Sequence, residues 1–437
     1  MLSDTIVAIS SGYGVSAISV IRVSGPLVLS IIEKVFRRKL KNRYATYLKF
    51  YNNNGKVIDD VIAVYYKSPK SYTGEDMLEI FCHGGLIIPK LILREIVELG
   101  ARQAEPGEFT KRAFLNGKLD LIQSSTINEI INAKSESAIY SLRSRMDGVL
   151  SRKLEDLRES LLDLLKEIEA RIDFEEDVPE ISKEEVFFRI KKILNMLEDM
   201  LKNSASMEKV SQGINVVIIG KANVGKSSIF NKLLGYERAI VSEIPGTTRD
   251  YISEYLVIDG ITFRIVDTAG IREAQDIIEK IGIEKSLNLT KFSDIIIFVL
   301  SAEKIETYEL ELLERIPNEK LILVINKSEI SRPNIEGYKP IYLSVYENFG
   351  FEELKNTLYN KAISEISAEY YFSRSEYETL QYAYNELIEV LNLKFEPLDI
   401  ISHHIRLVVN SLSRLLGIED LPEEILNRVF RDFCIGK

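Results

Sequence analysis

The apolar run Ile214 to Ile219, followed at once by GKANVGKSS (Gly220 to Ser228), constrains this chain more than any other feature. A strand that ends in a glycine-bounded loop and reopens as a helix satisfies G-x-x-x-x-G-K-[ST] in the setting the motif needs. Gly220 and Gly225 let backbone N–H groups close around phosphates, and the following helix adds its positive N-terminal end. Lys226 brings a point charge to the β- and γ-phosphates, and the Ser227 hydroxyl is suited to ligate Mg²⁺. Asn223, Val224 and Ser228 complete the loop. A chain built on this unit is expected to form a Ras-like, doubly wound α/β domain.

Three further strings follow in order. PGTTRD (Pro245 to Asp250) carries Gly246, Thr247 and Thr248 in a loop after the first helix, where a threonine can sense a γ-phosphate; Thr248 is the expected second Mg²⁺ ligand. DTAG ends the apolar strand Ile261 to Val266: Asp267 can hold the metal through water, Thr268 and Ala269 follow, and Gly270 leaves room for the γ-phosphate. NKSE follows the strand Leu321 to Ile325, with Asn326, Lys327 and Glu329 placed to read a guanine edge. Most GTPases carry Asp where this chain has Glu329. Four such strings, each at a strand end, point to binding and hydrolysis of GTP.

Ras-like GTPases place a water-orienting Gln after the Gly of DTAG. Here that position is Ile271, so the catalytic device lies elsewhere. Glu273, Asp276 and Glu279 in the next loop are candidates for positioning water. Asn223 can offer an amide oxygen to a second cation, and a potassium ion there would add positive charge at the phosphates.

The 437 residues leave room for about three domains. Residues 1–117 mix strands and helices: Thr5 to Ser10 and Ala17 to Val23 read as strands, and Tyr47 to Tyr51 and Val57 to Tyr66 flank a hairpin signal, NNNG. Met77 to Cys82 reads as another strand, and Leu86 to Leu99 as an amphipathic helix. From Leu119 to Asp173 the period is helical. Acidic, Pro-bearing residues 173–180 break it before a helix over 184–201. After about 362 the pattern is helical again. The reading is an N-terminal α+β domain (1–117), a helical domain in two parts (118–212 and 363–437), and a GTPase domain (213–362) inserted between them.

No apolar run approaches the roughly 18 residues of a membrane span, and the N-terminus lacks the pattern of a signal peptide. Two cysteines, Cys82 and Cys434, cannot make a disulfide framework and fit a reducing cytoplasm. A net charge of −10 argues against a general nucleic-acid coat. It leaves room for local basic clusters: KVFRRKLKNR (Lys34 to Arg43) is the densest, and Arg143, Arg145, Arg152 and Lys153 form another.

Beyond the four GTP strings, the chain carries DTIVAIS near its start, SYTGEDMLEIFCHGG (Ser71 to Gly85), EPGEFTKRAFLNGKLDL (Glu105 to Leu121), IGIEKS (Ile281 to Ser286) and FCIGK (Phe433 to Lys437). With these it resembles, end to end, the tRNA-modifying GTPases called MnmE or TrmE. The resemblance implies an N-terminal domain that binds a tetrahydrofolate one-carbon carrier (5,10-methylene- or 5-formyl-tetrahydrofolate) and mediates homodimerisation. It implies an FAD-containing partner, MnmG (GidA), in a heterotetramer that adds an aminomethyl or carboxymethylaminomethyl group to C5 of the wobble uridine, position 34, of certain tRNAs.

By position, the folate contacts fall on Arg22, Glu79, Lys118 and Lys437. The potassium ligands involve Asn223 with Ser242, Ile244 and Thr247, in a nucleotide-contacting loop that includes Glu243. Glu279 matches the water-positioning carboxylate, and Cys434 the cysteine of the C-terminal motif. Ala222, Glu329 and Val345 depart from the family pattern, and two of these three positions touch base recognition.

Two other readings compete. A ribosome-assembly GTPase would share GTTRD and DTAG but usually adds a basic RNA-binding module. A folate-dependent transferase with a decayed GTPase domain is opposed by the intact Lys226, Ser227, Thr248 and Asp267.

Overall fold

A computed structural model describes residues 4–12, 14–134, 136–173, 182–235, 253–267, 293–366, 368–393, 397–418, 426, 429–431 and 433–437. The chain divides into two compact units. One comprises Met1–Asn128, Met146–Glu167 and Ile405–Lys437; the other comprises Glu129–Arg145 and Ile168–His404.

The first unit is organised by β1 (Ile6–Ile9), β2 (Ile18–Ser24), α1 (Val28–Phe36), β3 (Thr46–Tyr51), β4 (Val57–Tyr66), β5 (Met77–His83), α2 (Ile88–Glu98), β6 (Arg102–Gln103) and α3 (Glu108–Leu115). Its sheet runs β3-β4-β5-β2-β1-β6. In α1, Val28, Ile31, Ile32, Val35 and Phe36 fall at helical spacing on one buried face. They pack with Ile92 and Ile96 of α2 against Val7, Ile21, Val23, Val61 and Ile80. The strand period then turns Ile6 and Ala8 to the opposite face, where they meet Ala104 and Phe109. That second contact sets α3 beside β1 and β2.

Three helices continue the chain: α4 (Leu121–Asn132), α5 (Glu136–Met146) and α6 (Val149–Asp173). The continuous helical period expected over 119–173 is thus broken twice, at Ala133 and Lys134 and at Asp147 and Gly148.

In the second unit α7 (Lys183–Lys202) leads to β7 (Ser204–Ser206), α8 (Met207–Gln212), β8 (Ile214–Ile219), α9 (Lys226–Leu234), β9 (Ser253–Ile258), β10 (Ile261–Asp267), β11 (Ile295–Ser301), α10 (Thr307–Leu313), β12 (Leu321–Asn326), β13 (Ile341–Leu343), α11 (Phe351–Ile366), β14 (Tyr370–Phe372) and α12 (Arg374–Asn392). A last helix, α13 (Leu398–Leu416), begins in this unit and ends in the other.

The sheet order is β13-β12-β11-β8-β10-β9, parallel except for β9. Strands covered on both faces need near-continuous apolar sequence, and β11 is buried along its whole length. Val216, Ile218, Ile297 and Val299 pack on one face with Ile229 and Leu354. Val217, Ile219, Ile296 and Phe298 pack on the other with Leu313. This is the doubly wound α/β arrangement the sequence predicts. β8 lies between β11 and β10, so the strand order reverses at its carboxyl end, where ligands bind in such sheets.

β7 and β14 pair in parallel, Tyr370 opposite Ser204, a contact no sequence period announces. Below it the buried Arg145 donates to both carboxylate oxygens of Glu376, at 2.7 and 3.1 Å, and to the Tyr371 carbonyl. Ser373 and Glu376 also form a reciprocal capping box at the start of α12. Among the described residues no helix is long and apolar enough to cross a membrane.

Candidate active site

The phosphate loop leaves β8 at Gly220 and enters α9 at Lys226. A Cβ on Gly220 would sit 2.3 Å from the Val299 carbonyl. One on Gly225 would sit 2.2 Å from Asn326 Nδ2, with φ at +99°. Both positions therefore exclude a side chain for local reasons. Asn223 stands in the left-handed region at φ +64° with its side chain exposed. Val224 is buried and anchors the loop to the sheet core, while Ser227 and Ser228 are exposed in the first turn of α9.

Lys226 Nζ donates to the carbonyls of Gly220 and Lys221 at 2.8 and 2.7 Å. The cation is thus held inside the loop by two backbone carbonyls. Asn326, 3% exposed, donates from Nδ2 to the Val224 carbonyl at 2.8 Å. Its Oδ1 is buried and finds no partner within the described protein. A buried amide oxygen left open carries a cost, and a ligand N–H would remove it.

Lys327, at φ +61°, pairs with Glu303 at 2.6 Å. Glu303 is held below the ordinary carboxylate range, chiefly by that hydrogen bond. Glu329 is exposed on the turn that follows. Ser328 N–H donates to the Leu343 carbonyl, which ties this turn to β13, and Val345 packs partly buried against the same core.

Asp267 closes β10, opposite Ile218 of β8. Its side chain lies outside the described residues. So do Ser242, Glu243, Ile244, Pro245, Gly246, Thr247, Thr248, Thr268, Ala269, Gly270 and the catalytic candidate Glu279.

The first unit holds a second constellation. Arg22 and Glu79, 57 residues apart, are directly opposed on β2 and β5. Arg22 donates to Glu79 Oε1 from Nε at 3.0 Å and from Nη2 at 2.8 Å, and from Nη1 to the Gly436 carbonyl at 3.2 Å. Its guanidinium lies 5.2 Å from the Tyr72 ring and 5.6 Å from the Phe109 ring. Tyr66 donates to the other oxygen of Glu79 at 3.2 Å. Burial, then Glu79, pushes the Tyr66 phenol above its ordinary range.

Lys437 is drawn in as well: its carbonyl accepts from Phe109 N–H at 3.2 Å. Burial, then the Arg22 charge, lowers its amine below the usual lysine value, with Glu79 and Cys434 opposing. Lys118 is exposed on the loop after α3, its Cγ beside Gly74. Cys434 is an exposed free thiol. Tyr66, Tyr72 and Phe109 escaped the sequence reading, although SYTGED and EPGEF contain the latter two.

On the same helix as Phe109, Arg112 is fully buried. It donates to Asp4, Glu75 and Glu108 at 2.8 to 3.3 Å, while Arg102 bridges Asp4 and Glu108. The network fastens α3 to the chain start.

Residues 5–118 match the family model described as the GTP-binding protein TrmE N-terminus, and residues 121–434 match the MnmE helical domain. The tRNA modification GTPase MnmE of Aquifex aeolicus is 42% identical, covering 100% of both chains. The protein of that name from Fervidobacterium nodosum is 40% identical over 99% of this chain and 98% of its own. The chain belongs to the MnmE family of tRNA modification GTPases. Among solved structures, the G domain of FeoB from Methanococcus jannaschii aligns at 24% identity and a TM-score of 0.26, covering 34% of this chain and 97% of that one. The MnmE family architecture holds here: an N-terminal α+β domain and a helical domain interrupted by the α/β GTPase domain.

Proposed function

We propose that the protein is a potassium-stimulated GTP hydrolase that works in tRNA wobble-uridine modification. With an FAD-containing partner of the MnmG (GidA) kind, it would add an aminomethyl or carboxymethylaminomethyl group to C5 of uridine 34, taking the carbon from a tetrahydrofolate derivative. The observation that carries the nucleotide half is the orphaned Asn326 Oδ1 beside the Gly225 cradle. An open acceptor at that point suits an N–H donor on a purine edge.

In this reading Lys226 exchanges its two loop carbonyls for β- and γ-phosphate oxygens, and the loop N–H groups take the rest. Ser227 and Thr248 would hold Mg²⁺, with Asp267 acting through water; the exposed Ser227 hydroxyl suits a hard cation. Asn223 would hold potassium with Ser242, Ile244 and Thr247, and its exposed amide at the loop's outer turn fits an oxygen-ligated ion. Bound there, these cations supply positive charge against the phosphates. Ser228, Val224, Glu243, Pro245, Gly246, Thr268, Ala269 and Gly270 complete the nucleotide contacts, and Lys327 and Glu329 border the base. Glu279 orients the attacking water.

The Arg22, Glu79, Lys118 and Lys437 set suits folate: cations for the glutamate tail and a carboxylate for the pterin edge. Tyr72 and Phe109 offer ring faces beside them. Cys434 lies close enough to Lys437 to influence its charge. Homodimerisation finds support in exposed Val15, Ile18, Leu86 and Ile87, on two segments joined by the Gly84 N–H to Ala17 carbonyl bond. A cytoplasmic location follows from work on tRNA.

The deciding experiment is GTP hydrolysis by the full chain in potassium against sodium at equal ionic strength, with ATP as competitor, alongside Glu279→Ala. Potassium stimulation that ATP does not suppress, and loss of turnover with retained GTP binding in the variant, are the expected results. Equal rates in both salts would remove the Asn223 cation site. Unchanged turnover in Glu279→Ala would remove that residue from the mechanism.

A further inference from the structure

We propose that the β3 edge of the N-terminal sheet, with the loop between α1 and β3, is a surface that binds RNA phosphates and stacks unpaired bases. The proposal rests on the tRNA reading above and assigns that contact to particular residues of this chain. Residues 34–70 contain ten Lys and Arg against two Asp, in a chain whose net charge is −10. One of the two, Asp59, is buried and committed to His83, accepting from its N–H at 2.8 Å and meeting its ring at 2.7 Å.

The fold gathers these cations instead of scattering them. Arg43 N–H donates to the Tyr65 carbonyl and Arg43 Nη2 to the Lys70 carbonyl, while Lys67 N–H donates to Asn42. The basic loop is thereby laced to the end of β4. On its other side Arg37 stacks over Tyr51 at 4.1 Å, and its Nη2 approaches Gly55 at the hairpin tip, next to Lys56. Lys34, Arg37, Arg38, Lys39, Lys41, Arg43, Lys49, Lys56, Lys67 and Lys70 are all exposed. Among the described residues only Lys39 has a carboxylate within 4 Å, Glu33 at 3.9 Å. Ten exposed cations with so little internal pairing are free to displace counterions from a polyanion.

Aromatic side chains interleave the charge. Tyr44 is 59% exposed and Tyr47 72% exposed, flanking the segment between Arg43 and Lys49. Tyr47 stands opposite Ile62 on β4, itself 46% exposed, so the ring has an apolar cross-strand neighbour on the sheet face. Cations along an edge with exposed rings between them make a platform for a single-stranded loop or bulge. A purely acidic protein partner would find charge there but no use for the rings. The bordering carboxylates are Glu33, Asp60 and Glu98.

The test is binding of an unmodified tRNA transcript to the full-length chain by fluorescence anisotropy across a salt series. The variants are Arg38→Gln/Lys39→Gln/Lys41→Gln and, separately, Tyr47→Ala, all at exposed positions. For the triple variant the slope of log K against log salt should fall in magnitude by about 2 to 3, and binding should weaken about tenfold or more. Tyr47→Ala should weaken binding about fivefold or more at an almost unchanged slope. GTP hydrolysis measured in the same preparations should match the parent protein.

Unchanged affinity and slope in the triple variant would overturn the proposal while leaving the tRNA reading intact. A parent protein that binds no tRNA at low salt would overturn it too, and its GTP hydrolysis would then judge the nucleotide reading separately. Competition by poly-glutamate as effective as by RNA of equal charge would reassign the surface to an acidic protein.

Discussion

Asn326 and Val224 are 102 residues apart, yet the Asn326 side-chain amide donates to the Val224 carbonyl at 2.8 Å inside the protein. The residue expected to read a base therefore also braces the phosphate loop. One N–H of its amide is spent on the loop, and its buried Oδ1 stands open to a ligand donor. One side chain joins the NKSE turn to the phosphate loop.

Asn326→Ala should weaken GTP and GDP alike. The loss removes one hydrogen bond to the ligand and frees the loop, a cost of about 1–3 kcal/mol, roughly five- to hundredfold in Kd. Calorimetric titration of both nucleotides measures it. Selective loss of GTP alone would mean the side chain acts on the γ-phosphate and not through the base and the brace.

Lys226→Ala separates two roles of one cation. Among the described residues Lys226 caps the Gly220 and Lys221 carbonyls, and losing these loop contacts should cost the free protein about 1 kcal/mol. In the proposed nucleotide complex the same change removes the positive charge that faces the phosphates. The variant should melt close to the parent when empty and show almost no upward shift in Tm when GTP is added. A full GTP-induced shift would place the phosphates away from Lys226.

The nucleotide site was legible because its parts are local. Each string sits at one strand end, and the turn after the strand fixes its chemistry whatever lies far away. The Arg22–Glu79 pair was legible only through family strings, since strand register, not spacing, brings those residues together. Tyr66 and Phe109 reach the pair from other elements and left no periodic trace. β7 and β14 have three residues each, too short for alternation to register. The helical period over 119–173 ran through its two breaks because neither interrupts the apolar spacing for a full turn. Asp267's side chain, Thr248 and Glu279 fall outside the described residues.

The Arg112 network makes acid stability a specific prediction. Burial works to raise Glu108, but hydrogen bonds from Arg102, the Glu105 N–H and Arg112 prevail and hold it below its ordinary 4.5. Asp4 is likewise held low, by Arg102 and Arg112 against burial. A depressed carboxylate contributes stability that is complete above its unfolded value. That stability is lost as pH falls through the folded one, here below about 4.5. Glu108→Gln should cost about 1.5–3 kcal/mol at neutral pH, because the buried Arg112 loses one of its three carboxylate partners. It should also flatten the acid limb of the unfolding curve for the N-terminal part. An unchanged acid limb would show that other carboxylates set it.

Arg22→Gln tests the one-carbon site against the nucleotide site. The substitution removes the charge beside Tyr72 and Phe109 and releases Glu79, whose other partner is Tyr66. Binding of 5-formyl-tetrahydrofolate should weaken at least about tenfold if an ionic contact of about 1.5–3 kcal/mol is lost. GTP affinity should stay within experimental error. Removing the Arg22 charge should also let the Lys437 amine titrate at higher pH, since that charge now helps hold it down. Parallel loss of folate and GTP binding would mean general misfolding, and folate binding equal to the parent would move the one-carbon site away from Arg22.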